Sequence, residues 1–229
     1  MKRLDFVPKT PFKIFQDTDY FCYGTDALLL SDFALEKNHH IKQNSLVADL
    51  GTGNAIIPLL LSSKLKLKKI FAIELQKPLA ALAQENVLLN NLSEKICVIN
   101  CDVKNAFDFS EIKKNSFDAV LTNPPYFKTD SGEKNSKQEL SLARHQEKDT
   151  LENFIKTASL MLKSQGNFFM INRASTFSEN VLLLKKYKLE IKHAKLVFPN
   201  SQKNATMILV HAVKSAKSQL IFEPPIFFN

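Results

Sequence analysis

The chain has 229 residues, of which 45% are hydrophobic and 24% are charged. These proportions are typical of globular proteins and argue against a disordered or fibrous chain, and the length suffices for one large domain or two small ones. The formal net charge is +8 at pH 7. Such an excess suits a polyanionic partner, although AT-rich coding also favours lysine and would produce the same charge.

The sequence carries no signal for a membrane, for export or for a metal site. No apolar run approaches the roughly 18 residues of a membrane-spanning helix. The basic amino terminus is not followed by an uninterrupted apolar stretch, so no secretory signal is evident. The three cysteines, Cys22, Cys97 and Cys101, form neither a CxxC pair nor an even disulfide framework. We therefore expect a cytoplasmic protein without a membrane or metal partner.

The predicted elements begin with a short helix and continue as an alternation of strands and helices. Gly24 precedes the apolar stretch 27–35, where Thr25 or Asp26 can cap a helix. Strands are predicted at 46–50, 70–73, 96–99, 117–122, 166–172, 195–198 and 207–213, and helices at 55–64, 78–90, 150–162 and 177–184. This alternation predicts an α/β fold with a mostly parallel sheet covered on both faces and an antiparallel finish. The polar segment 127–142 lacks periodicity, so we predict a surface loop there.

Glycines and carboxylates stand at the ends of three successive predicted strands. Gly51 and Gly53 follow the first strand, and glycine lets the backbone turn sharply and approach a ligand closely. Glu74 ends the second strand, where a carboxylate can accept hydrogen bonds from ribose hydroxyls. Asp102 follows the third strand, where it can meet an adenine amino group. Because ligands of open α/β sheets bind at the carboxyl ends of the strands, this pattern predicts a nucleoside cofactor.

The residues around the glycine turn favour one cofactor over another. The acidic Asp49, directly before the turn, would repel the pyrophosphate of a dinucleotide but suits a positively charged methionine amino group. We therefore favour S-adenosylmethionine. Ala55 stands where the third glycine of such turns is usual, and we expect one methyl group to be tolerated because that position serves close packing of helix on strand.

The pentapeptide 123–127 (NPPYF) follows the fourth strand and indicates the chemistry. Pro124 and Pro125 remove two backbone N–H donors. The Asn123 side-chain oxygen and the Pro124 carbonyl remain as acceptors, which can hold both hydrogens of one amino group and aim its nitrogen lone pair at a methyl donor. Tyr126 and Phe127 can stack on a planar substrate. The alternative interpretation is a proline turn that caps the strand with an aromatic plug.

These motifs resemble those of class I S-adenosylmethionine-dependent methyltransferases that act on planar amines, a family with a seven-stranded sheet whose last strand is antiparallel. The NPPY motif occurs in both adenine-N6 methyltransferases and release-factor glutamine methyltransferases. Residues 23–30 (YGTDALLL) and 143–145 (ARH), together with Phe127, resemble the bacterial tRNA (adenine-N6)-methyltransferases that modify the adenine beside the valine tRNA anticodon. The resemblance extends over about residues 12–213.

The resemblance implies methyl transfer from S-adenosylmethionine to the exocyclic N6 amine of an adenine in tRNA, and it assigns roles. The residues expected to bind the cofactor are Thr25, Asp26, Asp49, Gly51, Gly53, Glu74, Asp102 and Asn123. The expected catalytic residues are Asn123, Pro124 and Tyr126. The residues expected to bind the substrate are Pro125, Tyr126, Phe127, Lys128 and Arg144.

Two alternatives remain open. The same chemistry can act on a protein glutamine amide, as in release factors, or on the N2 amine of guanine in ribosomal RNA, and an RNA-binding module can keep this fold without catalysis. Release-factor enzymes carry a longer helical amino-terminal domain than forty residues can form. We expect one domain spanning 1–229 that works as a monomer. In it, residues 1–40 form an extension that packs on the cofactor side of a catalytic core, residues 41–229.

Overall fold

The computed structural model describes residues 1–20, 22–36, 41–125 and 137–228, with residues 137–148 described by their backbone. The strands are β1 (Lys2–Phe6), β2 (Lys13–Asp17), β3 (Leu46–Leu50), β4 (Lys69–Glu74), β5 (Ile96–Asn100), β6 (Phe117–Thr122), β7 (Leu162–Arg173), β8 (Leu189–Phe198), β9 (Met207–Lys214), β10 (Ile221–Phe222) and β11 (Ile226–Phe227). The helices are α1 (Thr25–Leu35), α2 (Ile56–Lys64), α3 (Lys77–Leu89), α4 (Lys137–Met161) and α5 (Phe177–Lys186).

One large sheet organises the fold. Its seven main strands lie in the order β5-β4-β3-β6-β7-β9-β8. All pairs from β5 to β7 are parallel, whereas β9 runs antiparallel to both β7 and β8. The predicted seven-stranded, mostly parallel sheet with an antiparallel last strand is thus confirmed. The short strands β10 and β11 pair with β8 and extend the sheet at that edge, which the sequence did not predict.

Helices cover both faces of this sheet because neighbouring residues of a buried strand point to opposite sides. In β3, Val47 belongs to the core shared with α1, α2 and α3, and the next residue, Ala48, belongs to the core shared with α4 and α5. Phe33 of α1 meets Phe169 of β7 edge to face, with ring centroids 6.4 Å apart. No helix in the described segments combines the length and apolar character needed to cross a membrane.

Two local predictions were wrong. Gly24, rather than Thr25 or Asp26, is the N-cap of α1, and it makes no side-chain capping bond. Helix α4 begins at Lys137, so residues 137–142 of the predicted loop are helical, while 127–136 lie outside the described residues. The first half of α4 contains neither glycine nor proline and consists mostly of strong helix formers, so helix propensity rather than apolar periodicity indicates its start.

The amino-terminal hairpin, formed by β1 and β2, is hydrogen-bonded to the helix α3 region by the side chains of two asparagines. The buried Asn86 accepts a hydrogen bond from the Phe15 backbone N–H at 2.6 Å and donates to the carbonyls of Phe15 and Asn54 at 3.0 and 2.9 Å. One turn further, the partly exposed Asn90 makes the equivalent pair of bonds to the backbone of Lys13. Asn86 therefore joins the hairpin, α3 and the glycine turn.

The two asparagines offer a matched test of what burial adds to the same contact. Asn86→Ala leaves three backbone groups without partners, and we expect the free energy of unfolding to fall by about 2–4 kcal/mol. Asn90→Ala breaks similar bonds where water can replace them, so we expect a loss of about 1 kcal/mol or less. Urea denaturation of both variants measures the difference, and equal losses would contradict the buried role of Asn86.

Candidate active site

A cleft of about 1050 Å³ opens at the carboxyl ends of β3, β4, β5 and β6. Eight of the predicted site residues line it: Asp26, Gly51, Gly53, Glu74, Asp102, Asn123, Pro124 and Pro125. The parallel order of the strands thus brings motifs that are far apart in the sequence to one place.

The remaining predicted site residues lie elsewhere or are not described. Thr25 is exposed at the start of α1 and lies outside the cleft walls, and Asp49 is buried beneath them. Tyr126, Phe127 and Lys128 lie outside the described residues. Arg144 belongs to α4, where only the backbone is described.

The turn after β3 depends on left-handed backbone at three positions. Gly51 and Gly53 have φ values of +73° and +58°, which residues with a Cβ adopt only under strain. A Cβ on Gly51 would lie 3.1 Å from the Phe154 ring, whereas a Cβ on Gly53 would meet nothing within 4 Å. Ala55 is also left-handed, with φ +68°. The backbone conformation, rather than only the close packing we expected, therefore explains why glycine is usual at this third position.

Glu74 is held firmly by the backbone around it. The side chain is only 6% exposed. Its Oε2 accepts a hydrogen bond from the Gly53 N–H at 2.9 Å, and its Oε1 accepts one from the Gln76 N–H at 2.8 Å. A carboxylate offers about four acceptor positions, so both oxygens keep capacity for the hydroxyl groups of a ligand in the cleft.

Asp102 caps the short 3-10 helix Val103–Asp108 at the cleft wall. Its Oδ1 accepts a hydrogen bond from the Lys104 N–H at 3.0 Å, and its Oδ2 lies 3.1 Å from the Lys104 ammonium. The neighbouring cation compensates the carboxylate charge, and the capping bond fixes the side chain beside the cleft.

Asp49 is a fully buried carboxyl group at the base of the turn. Its Oδ2 accepts a hydrogen bond from the Thr52 hydroxyl at 2.6 Å, and its Oδ1 has no hydrogen-bond partner among the described residues. Burial raises the pKa of Asp49 to about 7; the charge of Glu74 acts in the same direction, and the bond from Thr52 opposes it. Thr52 itself lines the cleft, so Asp49 lies one side chain away from it.

Asn123, at the end of β6, contacts the amino-terminal motif directly. Its Nδ2 donates a hydrogen bond to Asp26 Oδ2 at 2.9 Å. Asp26 Oδ1 in turn accepts a bond from the Ala27 N–H at 2.9 Å. We expected Asp26 on the cofactor side of the site, and nothing in the sequence pattern predicted that it would meet Asn123.

Sequence reasoning missed the opposite wall of the cleft. Arg173 ends β7, the neighbour of β6, and Ser175 and Thr206 stand beside it in the lining. Arg173 immediately follows a predicted strand, so the rule that ligands bind at carboxyl ends could have found it. Thr206 immediately precedes the antiparallel β9, where that rule does not apply. Among the described residues, no group of histidine, cysteine and acidic side chains is arranged to hold a metal ion.

Sequence comparisons place this chain among methyltransferases. The family model described as Eco57I restriction-modification methylase matches residues 35–202. The tRNA1(Val) (adenine(37)-N6)-methyltransferase of Porphyromonas gingivalis is 30% identical over 167 residues, covering 72% of this chain and 64% of its own length. The protein of the same name from Shewanella halifaxensis is 27% identical over 215 residues, covering 90% of this chain and 82% of its own length. The resemblance inferred from the motifs is thus confirmed.

A solved structure shows the same fold. A predicted O-methyltransferase from Agrobacterium tumefaciens, protein Atu636, has a TM-score of 0.69 at 22% identity and covers 88% of this chain and 86% of its own. The chain spans slightly less than two thirds, 64%, of the length of the first curated relatives.

The raised pKa of Asp49 predicts a particular pH dependence of stability. The folded protein keeps the Asp49 proton up to pH about 7, whereas an unperturbed carboxyl releases it near 3.8. The free energy of unfolding therefore falls as pH rises between these values, by up to about 1.4 kcal/mol per pH unit. Asp49→Asn keeps an acceptor for Thr52 but does not titrate. We therefore expect its free energy of unfolding to rise relative to that of wild type as the pH increases from about 3.8 to about 7. Urea denaturation of both proteins at several pH values measures this, and parallel curves of unfolding free energy against pH would contradict the raised pKa of Asp49.

Proposed function

Because the chain belongs to the Eco57I restriction-modification methylase family, we propose that it is an S-adenosylmethionine-dependent methyltransferase whose acceptor is the N6 amine of an adenine in tRNA. The observation that carries the proposal is the meeting of Asn123, Pro124 and Pro125 with the glycine turn and Glu74 in one cleft. The curated relatives named as tRNA adenine-N6 methyltransferases support the choice of acceptor.

The residues of the turn fit this cofactor. Glu74, held by two backbone N–H groups, presents its remaining acceptor capacity to ribose hydroxyls. The absent Cβ of Gly53 leaves open space for close approach of a ligand. Asp102 also lines the cleft and is available to the adenine amino group. Asp49 lies behind Thr52, beneath the lining, where the positive charge of a bound methionine ammonium would lower its pKa and favour the carboxylate. When bound, S-adenosylmethionine supplies an electrophilic methyl group.

The acceptor side orients one amino group and stabilises its charge. The Asn123 side-chain oxygen and the Pro124 carbonyl accept the two hydrogens of the amine, which leaves the nitrogen lone pair for the incoming methyl group. Positive charge develops on the nitrogen as its bond to the methyl group forms and the bond between that methyl group and the donor sulfur breaks, and the two acceptor dipoles stabilise this charge. The methylated nitrogen then releases its extra proton to water. The prolines at 124 and 125 contribute no backbone N–H that would compete for these acceptors.

Several features support RNA as the partner. The chain carries a net charge of +8, and Arg173 lines the wall opposite Glu74, where a guanidinium can meet a phosphate. A target adenine must leave its stack to enter the cleft, which costs a few kcal/mol and least in an unpaired loop. An anticodon-loop adenine meets that condition, and a tRNA substrate implies a cytoplasmic reaction.

The amino-terminal extension, residues 1–40, is proposed to close the cofactor side of the cleft. Tyr23 and Ala27 lie in the cleft lining, which supports this arrangement. We propose that the chain forms one domain with this extension and works as a monomer.

The proposal is tested by the identity of the methylated group. The purified protein is incubated with methyl-labelled S-adenosylmethionine and, separately, with unmodified tRNA, ribosomal RNA and a release factor, and the digested products are analysed by mass spectrometry. We expect N6-methyladenosine in tRNA. Label on guanine or on glutamine would overturn the acceptor but retain methyl transfer. Absence of label from every substrate, with measurable cofactor binding, would favour an RNA-binding module.

Two substitutions should separate cofactor affinity from turnover. Glu74→Gln directs an amide N–H toward one of the two backbone donors, so we expect the dissociation constant for S-adenosylmethionine to rise about tenfold or more. Asn123→Ala removes an acceptor used in the transition state, so we expect turnover to fall about 100-fold or more with nearly unchanged cofactor affinity. Calorimetric titration and single-turnover assays measure both effects. If Asn123→Ala lost affinity and turnover equally, its assigned role would be wrong.

A further inference from the structure

The hydrogen bond between Asp26 and Asn123 fixes which end of the Asn123 amide faces the carboxylate. Asp26 Oδ2 lies 2.9 Å from Asn123 Nδ2. A carboxylate can only accept, and within the amide only the NH2 group can donate, so the amide oxygen is directed away from Asp26. A bond to a charged acceptor is roughly twice as strong as one between neutral groups, which makes the opposite amide orientation unfavourable.

Each oxygen of the Asp26 carboxylate accepts a hydrogen bond, one from Asn123 and one from the backbone. Oδ1 accepts the bond from the Ala27 N–H at 2.9 Å, at the start of α1. A Cβ added to Gly24 would lie 2.7 Å from the same oxygen, closer than real Cβ atoms approach, so the carboxylate would have to shift. Gly24 has φ −106°, an ordinary conformation for any residue. Glycine at this position is therefore explained by the space that the Asp26 carboxylate occupies, and not by a backbone conformation that other residues avoid.

This arrangement matters because an amide presents opposite chemistry at its two ends. With its oxygen toward the acceptor amine, Asn123 accepts a hydrogen bond and stabilises developing positive charge. With its NH2 group in that position, two donors would face each other and the amine would be displaced. The negative charge of Asp26 also polarises the amide and increases the negative charge on its oxygen.

We propose that Asp26 is a positioning residue for methyl transfer, which holds the Asn123 side chain so that its oxygen receives the amino group of the target base, and that Gly24 is required to accommodate the Asp26 carboxylate. The inference rests on the proposed function, since it concerns the same acceptor amine. It assigns the GTD segment, residues 24–26, to the acceptor side of the site rather than to the cofactor.

The first test compares variants that keep or remove the acceptor at position 26. Asp26→Ala removes the carboxylate that accepts from Asn123 Nδ2, and we expect turnover on tRNA to fall about 10- to 100-fold, with the dissociation constants for S-adenosylmethionine and tRNA changed less than about threefold. Asp26→Asn can still accept the bond through its amide oxygen, so we expect it to retain most of the activity. Asp32→Asn, an exposed aspartate of the same helix, is the matched control and should behave as wild type.

A second variant tests the room that Gly24 provides and keeps the proposal falsifiable if Asp26→Ala folds poorly. Gly24→Ala retains the carboxylate but displaces it, so we expect a folded protein with unchanged cofactor affinity and turnover lowered about tenfold. Normal turnover by Gly24→Ala would overturn the role assigned to Gly24.

The sharpest test exchanges the two partners. Asn123→Asp places a second carboxylate within hydrogen-bond distance of Asp26, and we expect turnover to fall about 100-fold or more because the like charges repel. Adding Asp26→Asn to that variant restores a donor and acceptor pair in the reverse sense, and we expect recovery of about tenfold or more over Asn123→Asp alone. A merely structural Asp26 would instead give additive losses.

The outcomes separate the inference from the proposed function. Wild-type protein that methylates no adenine in any RNA would overturn both. Wild-type methylation of tRNA adenine with Asp26→Ala fully active, or with cofactor affinity and turnover lost equally, would overturn the inference alone. Lower turnover in Asp26→Ala at unchanged affinity, together with recovery in the exchanged pair, would establish it.

Discussion

The Glu74 carboxylate connects the two turns on which the cofactor side of the cleft depends. It accepts hydrogen bonds from the backbone at Gly53, after β3, and at Gln76, after β4. A single carboxylate therefore links the ends of two neighbouring strands and orients the backbone at Gly53 toward the cleft. Because the carboxylate is almost fully buried, breaking either bond would remove hydrogen bonding that water cannot readily replace, which favours the observed arrangement of the two turns.

The two sides of the cleft are built by different means. The side with Glu74 uses backbone groups from consecutive turns, which the sheet orders directly. The acceptor side uses two side chains, Asp26 and Asn123, that are 97 residues apart and meet only through packing of α1 against the sheet. Under the proposed function, cofactor affinity and turnover therefore depend on separate structural supports, so a substitution in one support can spare the other.

Much of the sheet and of the cofactor side could be predicted, because buried parallel strands appear as short apolar runs and ligands bind where they end. The remainder depends on features that such patterns do not record. The hairpin residues Lys2–Phe6 are mostly exposed, so they show no apolar run. The contact between Asp26 and Asn123 is a tertiary hydrogen bond without a fixed spacing. Arg173 was passed over because its neighbourhood carries no motif, although its strand was predicted.

Ala55 shows how a sequence pattern for this turn should be written. The left-handed backbone at φ +68° disfavours a Cβ by about 1–2 kcal/mol, while complete burial leaves no space for a larger side chain. Asparagine, which tolerates this backbone, would place an amide in the apolar core, and valine would fail on conformation. Glycine satisfies both conditions, and alanine, the smallest residue with a Cβ, fits the space at that conformational cost. A search that requires glycine at this position would overlook chains with an intact turn, whereas one that admits alanine would recover them.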